Sequence, residues 1–183
     1  MKKRNKKQKQ KKENTLWIIK ITLIAFIISL LFSLLSETLL PNVPLIIGSI
    51  ILILFIMIGI IFDMVGVSVT AASERPLHSM SSRKVKGAKM AIYLKRNASK
   101  VSSFCCDVIG DICGIISGSA GVIVATSISK IFHLDALTVS LIITASVASL
   151  TIGGKALGKE IAIKNSNEIL YMFAKVISLF KKV

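Results

Sequence analysis

Acidic residues are scarce in this chain: nine Asp and Glu stand against 24 Lys and Arg, a formal net charge of +15 over 183 residues. Cysteine and histidine are scarcer still, at three and two. Cys105, Cys106 and Cys113 show no Cys-x-x-Cys spacing. No disulfide framework follows, nor a soft-metal site with Asp107, and the three read as small buried hydrophobes. No Ser/His/Asp or Cys/His nucleophile arrangement can be argued, so enzymatic activity is not expected and no cofactor is implied. No aromatic residue interleaves with the lysines of the first 13 residues, so nucleic acid is not expected as a partner.

What the chain has in quantity is apolar. Hydrophobic residues make up 53% of it and its mean hydropathy is +0.74. A disordered polycation would be poor in such residues, and a soluble domain would not combine this hydrophobicity with this charge. The length fits one domain, but the apolar runs are too long for a soluble core. An integral membrane protein is indicated.

A helix needs roughly 20 apolar residues to cross a ~30 Å hydrocarbon core. Residues 16–35 meet this, interrupted by Lys20 near the start, whose long stem can carry the ammonium to the interface. Residues 45–62 are apolar apart from Ser49 and glycines, with Pro41 and Pro44 in the turn before them. Residues 101–132 form a longer, weaker span rich in Gly, Ser and Cys. Residues 137–152 form a fourth, joined to it around His133 and Asp135. The expected fold class is an all-α integral membrane protein with four transmembrane helices in two hairpins.

Basic residues set the orientation. The first 13 residues carry eight Lys and Arg, residues 74–100 another eight, and the segment after Gly154 six. Lys130 alone lies near the other face, and His78 and His133 fall on opposite faces. Both termini and the central loop are therefore expected in the cytoplasm of a multi-pass protein of the cell membrane. The lysine-rich start resembles the charged end of a secretory signal, but the apolar stretch behind it is too long and lacks a small-residue cleavage site. It reads as an uncleaved anchor, its tail lying on anionic lipid at about 1 kcal/mol per basic residue.

Asp63, Asp107 and Asp111 do not belong in lipid, and an intramembrane carboxylate is a functional hypothesis by default. At 1.5 Å per residue from Val101, Asp107 lies about 9 Å deep and Asp111 about 15 Å, with Asp63 just inside the cytoplasmic surface. Asp107 and Asp111 are i and i+4 and share one side of a helix. Alternatively the span begins later and Asp107 caps it among the headgroups. Gly110, Gly114 and Gly118 recur at every fourth position, with Gly121 just beyond. This repeated Gly-x-x-x-Gly lets backbones approach closely. It suits tight packing around a small cation, although packing alone also explains the glycines.

The loop at 74–100 alternates basic residues with Leu77, Met80, Val85, Met90, Ile92 and Leu94. Residues 86–97 can form an amphipathic helix with Gly87 and Asn97 near its ends. After Lys159, Ile169, Leu170, Phe173, Val176, Ile177 and Phe180 share a face, and Asn165-Ser166-Asn167 separates a short arm from a final helix. Such helices lie in the interface or against one another. The run from Gly153 to Lys159 approaches the phosphate-binding Gly-x-x-x-x-Gly-Lys-[Ser/Thr] loop, but Glu160 follows where a hydroxyl should hold Mg²⁺, and a membrane helix precedes it. That motif is rejected.

Three segments in register resemble the transmembrane domain of the cyclin-M/CorB/CorC family of magnesium and cobalt transporters. Residues 62–73, FDMVGVSVTAAS, occupy the place of the family's FSASETALTSLS-type motif. Residues 87–111, GAKMAIYLKRNASKVSSFCCDVIGD, are similar to its charged helix and the span with an Ile-Gly-Asn element. Residues 154–170, GKALGKEIAIKNSNEIL, look like its Gly-Glu-x-x-Pro-Lys turn, Ala-x-x-Asn-Pro-Glu element and amphipathic helix. The resemblance covers roughly residues 45–183 and implies a transporter-like domain (45–155) including the cytoplasmic loop; a basic tail (1–15) and an additional N-terminal transmembrane helix (16–40) precede it. Amphipathic cytoplasmic-face helices (156–183) would follow, without the family's regulatory CBS domains. Gly66 stands where the family has Glu, Asp111 where it has Asn, Lys155 where it has Glu, and Gly158 where it has Pro.

Two readings follow. In the first the protein transports a divalent cation, Mg²⁺ or Co²⁺, as a homodimer in the lipid bilayer. Hard cations take oxygen ligands: Asp111 would be central, Asp107 and Asp63 would form a vestibule, and Ser102, Ser103 and Ser117 would add hydroxyl contacts. In the second it is a non-transporting scaffold or regulatory subunit that keeps the fold, with Lys155 filling the ion site. Lys155 is expected at the level of Asp63 and within reach of Asp107.

Overall fold

A computed structural model describes the backbone of residues 2–39 and 43–180, and the side chains of 15–36, 38 and 43–179. The side chains of the lysine-rich tail, Pro41, Asn42, Phe180 and Lys182 lie outside the described residues. Everything described is helix or short connection. Helix α1 runs Lys2–Leu39, α2 Leu45–Ala71, α3 Glu74–Ser82, α4 Ala88–Arg96 and α5 Ala98–Ser102. A π-helical stretch, Ser103–Gly110, then leads into α6 (Asp111–Phe132), followed by α7 (Ala136–Lys164) and α8 (Ser166–Phe180). Four stretches are long and apolar enough to cross a membrane: Thr15–Ser36, Leu45–Ala71, Ala98–Phe132 and Ala136–Lys164. The four expected spans are therefore present as helices.

Two of them run further than their apolar stretches. Helix α2 continues past Phe62 to Ala71, and α7 continues past Ile152 to Lys164. The turn implied at 154–159 is not there. Gly158 stands where a proline would break the helix, and glycine costs a helix only about 1 kcal/mol against ~3 for proline. The division at 155/156 thus falls inside one helix.

The transmembrane core is α2, α6 and α7. Leu52 and Ile56 of α2 bury against Ala120 and Val124 of α6 and Val147 of α7. Glycines set the spacing. A Cβ at Gly66 would overlap the Cys106 sulfur, and one at Gly154 would overlap the Ile60 side chain. At Gly158 a Cβ would come 2.8 Å from the Met64 Cγ. A Cβ at Gly121 would come 3.3 Å from a Val147 methyl. Gly114 and Gly118, by contrast, have nothing within 4 Å of an added Cβ. The expected close approach at Gly114 is not made within the chain, because the helix turns that residue away from α2 and α7.

Helix α1 lies against the outside of this core. Ile21, Ala25 and Ile28 pack on Val108, Ile112 and Ile116, and Phe32 meets Phe55 edge-on at 6.4 Å.

At one end, α3, α4 and α8 form a small cap around the C-terminus of α2. Val69, Leu77, Ala91, Leu170 and Ala174 are fully enclosed there. The Lys95 ammonium donates to the Val69 and Thr70 carbonyls at 3.2 and 2.8 Å, satisfying carbonyls that a helix end leaves without partners. The Ser73 N–H donates to the Asn167 Oδ1 at 3.0 Å, tying α3 to α8. The expected 86–97 helix appears as α4, with Gly87 at φ 87° before it and Asn97 after it. On α8, Ile169, Phe173 and Ile177 pack inward as expected, whereas Val176 points outward at 54% exposure. At the other end, His133 (φ 53°) terminates α6. Asp135 then caps α7, accepting from the Thr138 N–H at 2.9 Å and hydroxyl at 2.7 Å.

Candidate functional site

Because α7 stays helical through Gly158, it carries Lys155 and Lys159 one turn apart on one side. Each reaches a different helix. The Lys159 ammonium lies 3.8 Å from an Asp63 carboxylate oxygen on α2. The Lys155 ammonium lies 3.6 Å from Asp111 at the start of α6. The Lys155 ammonium passes beside Gly110, where a Cβ would make only ordinary contacts, 3.7 Å from the ammonium and 3.4 Å from the Cys105 carbonyl.

The two pairs differ in burial. Asp63 is 5% exposed, and its Oδ2 has no hydrogen-bond partner. A charge-assisted N–H···O bond is about 2.7–2.9 Å long, so Lys159 holds this oxygen only loosely, from a side chain that is itself half exposed. Asp111 is the reverse case, an exposed carboxylate met by a lysine whose side chain is 21% exposed. The Cys106 thiol donates to the Asp63 backbone carbonyl at 3.6 Å and stands 3.9 Å from the Ser102 hydroxyl.

The expected residues are therefore only partly gathered. Asp63 and Asp111 are linked through the two lysines of α7, while Asp107 is exposed on the π-helical stretch and joins neither pair. Among the described residues, no three His, Cys, Asp or Glu side chains could hold one metal ion together. Ser102 borders Asp63 through Cys106, and Ser103 is half-buried at the start of the π-helical stretch. Ser117 is fully buried and donates to the Gly114 carbonyl of its own helix at 2.9 Å. Lys155, expected at the level of Asp63 and within reach of Asp107, instead pairs with Asp111, and Lys159 takes Asp63. The depth count assumed α-helical rise throughout, whereas Ser103–Gly110 follows the wider i→i+5 winding of a π-helix. Lys159 is the site residue that the sequence reading missed. Its signal was present: without a proline at position 158, the helix carries 155 and 159 on one face.

No protein-family model, curated protein or solved structure matches the chain.

Proposed function

We propose that this membrane-embedded protein transports a divalent cation, Mg²⁺ or Co²⁺, with Lys155 and Lys159 occupying its carboxylates in the cation-free state. The observation that carries this reading is Asp63, a buried carboxylate with an unpartnered oxygen and a loose, half-exposed lysine as its counter-charge. Burying a carboxylate costs several kcal/mol unless it is well paired, so a partner this loosely held is exchangeable. Mg²⁺ keeps several waters and commonly uses one or two carboxylates, which two separate aspartates can supply. Ser102 lies where it could orient a bound water. The cyclin-M/CorB/CorC resemblance points to the same chemistry. The distribution of basic residues supports cytoplasmic termini. The open face at Gly114 and Gly118 is where a second copy would approach to form a homodimer.

The lysines must move for this to work. A unit charge 4 Å from a divalent ion opposes it by about 8 kcal/mol at an effective dielectric of 20. If the lysines never leave, the protein is a scaffold or regulatory subunit. That second reading is favoured by Asp63 and Asp111 each having a lysine of its own. Uptake of Mg²⁺ into proteoliposomes separates the two. Flux in the wild type that falls at least about tenfold in Asp63→Asn supports transport; absence of wild-type flux overturns it.

A further inference from the structure

A cleft of about 560 Å³ opens beside the cap, between α1 and the start of the third span. Pockets of roughly 300–1,000 Å³ accommodate ligands of drug size or an extended chain. Its α1 wall is made by Trp17, Lys20, Ile21 and Ile24, which share a face at i, i+3, i+4 and i+7. The opposite wall is Tyr93, Asn97, Lys100, Val101 and Phe104, and Phe173 lines it from α8.

The chemistry of this cleft is graded. Both walls run in the same direction, with Trp17 preceding Lys20 and Ile24 on one and Tyr93 preceding Lys100 and Phe104 on the other. Trp and Tyr mark the level at which a protein meets the lipid headgroups. Lys20 and Lys100 are exposed, and the ion pairs among the described residues use His78, Lys155 and Lys159 instead. Two uncompensated cations therefore stand over an apolar interior that faces the bilayer. Basic pockets of this kind between membrane helices suit anionic lipid headgroups.

We propose that this cleft binds one anionic phospholipid, its phosphate held between Lys20 and Lys100 and an acyl chain laid along Ile24, Phe104 and Phe173. The lipid would fill the gap between α1 and the cap.

Native mass spectrometry of the full chain in detergent, titrated with phosphatidylglycerol or phosphatidylcholine, tests this. The wild type should hold one phosphatidylglycerol. Lys20→Gln/Lys100→Gln should weaken that binding about thirtyfold, the equivalent of ~2 kcal/mol for two basic residues near a lipid surface. Lys6→Gln/Lys7→Gln, which removes equal charge from the tail, should keep the adduct. Ile24→Trp, which fills the interior without changing charge, should lose it, and it keeps the test valid if the double variant fails to fold. Phosphatidylglycerol should also raise the unfolding midpoint of the wild type and not that of Ile24→Trp. Equal retention by the Lys20/Lys100 variant, or equal loss from the tail variant, would overturn the site. Phosphatidylcholine bound as tightly would reduce it to ordinary annular lipid. Inorganic phosphate competing with the same lysine dependence would make it a free-anion site.

Discussion

Helix α1 and the third span are both long enough to cross a membrane, yet they solve the problem oppositely. The span of α1 is the more apolar of the two, and none of its most apolar stretch is buried inside the protein. The third span, Ala98–Phe132, is less apolar and richer in small and polar residues, and 56% of its corresponding stretch is buried. In lipid there is no hydrophobic reward for hiding an apolar side chain against another helix. Hydropathy therefore marks the surface that meets the acyl chains, and glycine, serine and cysteine mark the surface that meets protein. Gly59 against Cys113 and Gly66 against Cys106 show what the small residues achieve: backbones approach where neither side carries bulk.

If this contrast is right, disturbance should be costly in the interior and cheap on α1. The largest effect is expected from Lys159→Met, which leaves Asp63 buried without a counter-charge. Breaking a buried pair costs about 3–5 kcal/mol, and the exposure of Lys159 reduces this to about 2–3. Denaturation in detergent would measure it, and Asp63→Asn in the same chain should restore most of the loss. Next, Gly66→Ala should cost about 1–3 kcal/mol through overpacking against Cys106. Gly114→Leu, in the third span but facing open space, should leave monomer stability unchanged and impair only self-association measured by cross-linking. On α1, Leu31→Ala should change stability by no more than about 0.5 kcal/mol, as for an exposed site. A loss comparable to that of Gly66→Ala would mean that α1 is an integral part of the core.

The smallest effect concerns Asp135, in the turn outside the spans. The Thr138 hydroxyl and then its N–H donate to this carboxylate and hold it below the ordinary aspartate range. A carboxylate depressed in the fold contributes stability above its unfolded value and loses it as pH falls through the folded value. Asp135→Asn should keep stability near wild type at neutral pH, since Asn also caps helices. It should also flatten the acid side of the stability curve, read by thermal unfolding against pH.

The four membrane-length helices were legible because each apolar run approaches the length that a bilayer requires. The α4 boundaries were legible because Gly87 and Asn97 are good terminators. The extent of α7 was not, since nothing apolar requires a helix to continue through Gly-Gly-Lys-Ala-Leu-Gly-Lys; it continues because Gly154 and Gly158 receive Ile60 and Met64. The charged site failed for the same reason. Its aspartates stood out as charges in apolar runs, while the partner of Asp63 lay beyond the apparent end of the span. The π-helical stretch left no sign in residue spacing, and a depth count at α-helical rise does not hold across it.

The central claim is that the lysines of α7 and a divalent cation compete for the same carboxylates. Calorimetric titration of Mg²⁺ into wild type and Lys155→Gln, both in detergent with matched unfolding midpoints, tests it most directly. Removing the competing ammonium should tighten Mg²⁺ binding by at least about tenfold, a difference of ~1.4 kcal/mol. Binding that is unchanged or weakened in Lys155→Gln would contradict the claim.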